Sequence, residues 1–139
     1  MLTKTFTASV LACLGLFVAG ATMAETIQMT IDGKHYPIEL AGNPDARNFA
    51  ARLPMTLTFE NFGSKERIAY PKPAIKVENT VRHFDIPQGT MTIYKPWGNI
   101  AVFLVDFPWN DDLTNLGKLT DEGLEALRTS GDKPVTFSQ

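Results

Sequence analysis

The chain has 139 residues, 13 basic and 15 acidic side chains, a formal net charge of −2 and a single cysteine. That length allows one domain. With no basic run and no basic aromatic stripe, nucleic acid is excluded as a partner.

Residues 1–24 have the order of an export signal. Lys4 is the basic start, Phe6 to Ala21 is apolar and rich in small residues, and Thr22-Met23-Ala24 places small residues where a signal peptidase reads; Glu25 then opens the mature chain. Two other readings of this segment stay open. One is an uncleaved anchor, although spanning needs about 20 apolar residues and Thr7, Ser9 and Gly15 interrupt a shorter run. The other is lipid attachment at Cys13, because Val10-Leu11-Ala12-Cys13 loosely resembles a lipobox. The expectation is cleavage and a periplasmic or secreted domain over residues 25–139, with no membrane contact afterwards. Subtracting 24 from 139 leaves 115 residues, and losing Lys4 leaves 12 basic against 15 acidic groups, a net charge of −3. Cleavage would also remove Cys13, and with it disulfide, cysteine-nucleophile and zinc-thiolate chemistry. A domain of this size buries a core without staples.

Strand patterns dominate the rest. Thr26 to Ile31 alternates polar and apolar residues, Asp32-Gly33 makes a tight turn, and His35 to Leu40 runs back; aspartate-glycine accepts the positive φ of a two-residue hairpin. Asn43 caps a short helix with Pro44 at its first position and Asp45 at the positive end of its dipole. Ala46, Phe49, Ala50 and Leu53 share one face, and Pro54 ends the segment. Met55 to Phe59 and Arg67 to Tyr70 read as strands. Residues 71–89 carry three prolines and read as a long loop, with short strands around Ile75–Val77 and Arg82–Phe84. Thr90 to Tyr94, the turn Pro96-Trp97-Gly98-Asn99 and Ile100 to Val105 form the clearest hairpin; the second arm is apolar on both faces and so reads as a central strand. A loop from Asp106 to Asp112, a strand from Leu113 to Leu119, a helix starting near Thr120 and a closing strand from Pro134 to Phe137 complete the chain. Leu119 and Leu124 are spaced as a hydrophobic staple around the second helix start. About eight strands and two short helices predict a mainly β domain closed as a barrel.

The run Gly89 to Phe103, with Pro96-Trp97-Gly98-Asn99 at its centre, resembles the bacterial cyclophilin-like domain family, as do Leu116-Gly117-Lys118-Leu119, Asn43 to Phe49 and Gly123 to Leu127. The resemblance spans nearly all of residues 26–139 and implies a cyclophilin-like barrel more than an activity. Similarity to the peptidyl-prolyl isomerases themselves is more distant: Ala46-Arg47-Asn48-Phe49 is similar to their Ala-Glu-Asn-Phe helix. Twisting a prolyl bond, against an amide barrier of about 18–20 kcal/mol, needs an arginine that the resemblance places on the strand Leu53 to Phe59, which has none. The pocket histidine of those enzymes falls at about Leu113. Isomerase activity is therefore not expected. Arg82-His83-Phe84-Asp85-Ile86-Pro87 looks like a scrambled isomerase motif, but its order is wrong and it comes too late in the chain.

No metal or cofactor is implied. His35 and His83 are each isolated from other ligand types, and Asn110-Asp111-Asp112 lacks the alternating oxygens and closing glutamate of a calcium loop. Glu60 and Glu66 flank the turn Asn61-Phe62-Gly63, and Asp106 follows the buried strand; no nucleophile elbow or phosphate loop accompanies them. Aromatic residues are denser than one core needs, with Tyr70, Tyr94, Trp97, Phe103, Phe107 and Trp109 gathered around the hairpin and the loop after it. Loops on a rigid barrel carry binding residues, and aromatic clefts take prolines or small apolar ligands. The expected site is a non-catalytic groove for a small molecule or peptide lined by Tyr70, Phe103 and Trp109, with Glu60 as polar contact. The alternative is an enzyme using Glu60 or Asp106 with Arg67.

Overall fold

The computed structural model describes residues 25–77 and 84–139; the leader, His83 and most of the strand expected at 82–84 lie outside the described residues. In chain order the elements are β1 (Thr26–Ile31), β2 (Lys34–Leu40), α1 (Pro44–Ala50), β3 (Met55–Thr58), β4 (Glu60–Phe62), β5 (Glu66–Ala69), β6 (Thr90–Tyr94), β7 (Asn99–Phe103), β8 (Leu113–Leu119), α2 (Asp121–Arg128) and β9 (Pro134–Ser138). The strands form one antiparallel sheet in the order β3-β9-β1-β2-β8-β6-β7-β5-β4. The two edge strands of that order, β3 and β4, are consecutive in the chain and separated only by Phe59. One residue cannot span an open sheet, so the sheet curls until its ends meet and forms a nearly closed barrel. Phe59 is buried at this seam. The expected barrel class holds; the additional strand is the three-residue β4, wholly exposed and without a burial pattern to announce it.

Local chemistry sets the joints. Asp32 and Gly33 both have positive φ, at 51° and 75°, and join β1 to β2 with Ile31 opposite Lys34. Asn43 Oδ1 accepts from the Ala46 amide at 2.8 Å to start α1, and Thr120 Oγ1 accepts from the Gly123 amide at 3.0 Å to start α2. Each satisfies a helix N–H that has no partner within the helix. Gly98 closes the β6–β7 hairpin at φ 64°, and a Cβ there would stand 2.6 Å from the Ile75 carbonyl oxygen. The Ile75 amide donates to the Gly98 carbonyl at 2.9 Å, so residues 71–77 lie strapped against the hairpin as irregular chain, not as the short strand expected there.

Alternation along each strand sorts side chains into two layers. Inside the barrel, Ile27, Met29, Ile38, Met91, Ile93, Ile100, Val102 and Leu116 pack around Phe49, Phe59 and Phe137. The Phe137 ring lies 5.8 Å from Phe49 and 6.1 Å from Phe59, centroid to centroid. Outside the barrel, a smaller cluster of Ile68, Ile86, Ala101, Phe103 and Leu113 covers the other face of β5, β7 and β8. The loop after β7 folds back over this face, with the Phe107 amide donating to the Ile86 carbonyl at 2.8 Å. That is why β7 is apolar on both sides and buried at all five positions.

Candidate functional site

The outer cluster is not closed. An open cleft of about 220 Å³ enters it between the β6–β7 hairpin, the β4–β5 hairpin and the loop after β7. Pairing explains its composition. On β5, Glu66 and Ile68 face the cleft while Arg67 faces inward; across the hairpin, Phe62 pairs with Glu66 and Asn61 with Arg67. On β7, Asn99 and Phe103 line the cleft from the two ends of the strand, with Ala101 between them in the outer cluster. Tyr94 and Leu113 enter from β6 and β8, Trp97 from the hairpin turn, and Phe107 and Asn110 from the loop.

The aromatic rings are set at angles. Trp97 stands edge-on to Tyr94, with centroids 5.1 Å apart and planes at 83°, and edge-on to Phe62 at 6.3 Å and 80°. Phe103 and Phe107 lie closer to parallel, 4.6 Å apart at 35°. Phe62 and Trp97 are 49% and 52% exposed, whereas Phe103 is 1% exposed, so the buried rings form a floor and the exposed ones a mouth.

Few polar atoms reach into this space. Asn99 is 2% exposed; its Nδ2 donates to the Ile100 carbonyl at 3.3 Å, and its Oδ1 has no hydrogen-bond partner among the described residues. A buried acceptor left in this state costs about 1–3 kcal/mol. The half-buried Glu66 carboxyl is pushed above its ordinary value by desolvation, and among the described residues it has no ion-pair partner. The Asn110 Oδ1 accepts from the Asp112 amide at 2.8 Å. Lys65 stands at the rim with its Nζ 6.0 Å from the Phe107 centroid.

Of the four residues expected to form the groove, Phe103 lines the cleft, as do Tyr94, Trp97 and Phe107 of the aromatic group and the carboxylate candidate Glu66. Glu60 is exposed on β4 opposite Ile68, on the cleft side of the hairpin but outside the lining. Tyr70 is 47% exposed just past β5, and Trp109 is half-buried in the loop; neither lines the cleft. The alternative constellation is not assembled. Arg67 is 3% exposed and donates to Asn61 Oδ1 and Ser130 Oγ, both at 2.9 Å, and to the Gly131 carbonyl. Burial holds its guanidinium below the ordinary value. It ties β5 to the end of α2 on the side of the sheet away from Glu60. Asp106 Oδ1 accepts from the Gln88 amide at 2.8 Å and serves the turn. Among the described residues no three His, Cys, Asp or Glu side chains gather where they could hold a metal ion, and His35 Nδ1 pairs instead with Thr30 Oγ1 at 2.7 Å. Sequence reasoning names Glu66 as a candidate carboxylate but leaves it out of the expected groove, and it does not name Asn99 or Phe62 as site residues at all. Phe62 and Glu66, flanking Gly63, are the two that a hairpin drawn around the Asn61-Phe62-Gly63 turn would have brought together.

Comparison with known proteins agrees on the fold. The solution structure of a hypothetical protein from Archaeoglobus fulgidus superposes with a TM-score of 0.58 at 18% identity, covering 83% of this chain and 94% of that one. No curated protein matches significantly. The model of the cyclophilin-like family matches residues 29–138, and with a nearly closed barrel of the corresponding architecture, the chain belongs to the cyclophilin-like family.

Proposed function

We propose that this protein is an exported binding module without catalytic activity, which takes a small molecule or short peptide into the cleft over β5 and β7. The observation that carries the reading is a buried amide oxygen, on a residue lining an open, ring-lined cleft, with no partner among the described residues. Two large rings exposed beside each other at the mouth, Phe62 and Trp97, support it, since such patches mark binding surfaces more than they aid stability. The volume is of ligand size: an apolar cavity of about 150 Å³ engineered in another protein holds benzene. Among the described residues no arginine or histidine lines the cleft, which favours binding over prolyl isomerisation. Export rests on the order of residues 1–24.

The test is a titration of the isotopically labelled protein with proline-containing peptides and a small-fragment library, followed by amide and indole resonances. Shifts at Trp97, Asn99 and Phe103 without faster cis–trans exchange of the peptide are expected. Shifts confined to other surfaces, or accelerated exchange, would refute the reading. Mass spectrometry of the periplasmic fraction should find a chain beginning at Glu25, and an uncleaved chain would remove export. A second reading has one observation of its own. Glu66 is a cleft carboxyl with a raised pKa, the condition of a general acid or base; an enzyme of that kind would lose turnover in Glu66→Gln while keeping ligand affinity.

A further inference from the structure

Resting on the cleft reading above, the arrangement of acceptors narrows what the cleft selects. Glu66 sits opposite Phe103 in the β5–β7 pairing, and Asn99 lies four residues up the same β7 strand. Both line the cleft, at opposite ends of the β7 register. Four residues of strand separate the two positions by about 13 Å. With a hydrogen bond of about 3 Å at each end, a ligand bridging them needs donors roughly 7 Å apart.

Among the described residues, both ends demand donors. Asn99 offers an Oδ1 with no hydrogen-bond partner among them and Glu66 a carboxylate with no ion-pair partner among them, while Asn110 Oδ1 is committed to the Asp112 amide. An anion would find no cationic side chain among the described lining residues, and a neutral ligand would leave the desolvated carboxylate uncompensated. Between the two acceptors the walls are rings whose faces attract cations. Lys65 already holds its ammonium over the Phe107 ring at the rim.

We propose that the cleft selects an aliphatic amine: an ammonium group at Glu66, an apolar stem of four or five carbons along the Phe103 and Trp97 rings, and a second N–H donor at Asn99. A lysine side chain with its own amide N–H has this form, and so does a free diamine. Three probes separate the possibilities by calorimetry and labelled-amide titration: N-acetyl-lysine methylamide, N-acetyl-norleucine methylamide and 1,5-diaminopentane. The lysine or diamine probe binds at least tenfold more tightly than the norleucine probe, and the tighter of the two identifies a peptide or a free amine as the source. Glu66→Gln removes at least tenfold of that preference and leaves norleucine binding unchanged. Equal binding of lysine and norleucine probes to the wild-type protein overturns the proposal without need of the variant, as does a preference that survives Glu66→Gln. If such binding still shifts Trp97 and Asn99, the cleft remains a ligand site and only its selectivity is misread. If no probe, peptide or fragment moves those resonances, both readings fall.

Discussion

The two faces of β7 are equally apolar and do different things. On the inner face, Ile100 and Val102 enter a core closed over by β1, β2, β9 and both helices, where Phe49, Phe59 and Phe137 interlock. On the outer face, Ala101 and Phe103 meet a cluster that stays open, with Phe62 and Trp97 half in water and the Asn99 Oδ1 unpaired. Neighbouring residues of β5 show the same division. Arg67 turns inward and has three acceptors, with its Nε alone unpartnered among the described residues; Glu66 turns outward and has no ion-pair partner among them. The inner guanidinium is largely engaged by the protein, whereas the outer carboxyl is not. Aromatic content alone therefore does not separate a core from a site; whether the packing around it closes does.

Substitutions should divide along the same line. The largest effect belongs to the inner face: Phe137→Ala removes a ring that touches two others and should cost about 3–5 kcal/mol, read as a lowered urea midpoint. A loss below about 1 kcal/mol would mean that the seam is loosely packed. At the mouth, Trp97→Ala gives up two edge-on ring contacts on an exposed side chain and should cost less than about 1 kcal/mol, while abolishing the resonance shifts produced by cleft ligands. If stability falls as far as in Phe137→Ala, the outer face is a second core and the contrast is wrong. The smallest effect is one of pH. With Glu66 held above its ordinary value, the native state carries more proton than the unfolded state between the two values, so stability declines as pH climbs through that window. Glu66→Gln lacks this decline and gains on the wild type as pH climbs above the ordinary glutamate value. Paired thermal melts showing a constant gap would remove the desolvation argument.

Elements with local signals were readable from the residues. The turn at Asp32-Gly33, the caps Asn43 and Thr120, and the double-sided burial of residues 99–103 each depend on neighbours in sequence. Legibility ended where pairing between distant segments takes over. β4 is three exposed residues whose existence depends on β5. Glu60 and Glu66 are equivalent by composition, and only the position of Phe62 beside Trp97 puts one at the cleft and the other outside it. Tyr70 and Tyr94 both stand at strand ends, yet only Tyr94 lies beneath the hairpin turn that carries Trp97. Nothing near Arg67 in the chain announces its partners Ser130 and Gly131, which come from more than sixty positions away.

The place of β9 between β1 and β3 sets the order in which the molecule can be made. Met29 and Met55 both pair with Phe137 and have no sheet partner in common until it arrives. Synthesis runs from the N-terminal side, so β1 to β8 are made before the strand that shuts the barrel. Closure must wait for β9, because these non-local pairings repay their loop-closure entropy only then. Under the export proposed here, that delay keeps the preceding strands threadable through a translocation channel until β9 is made.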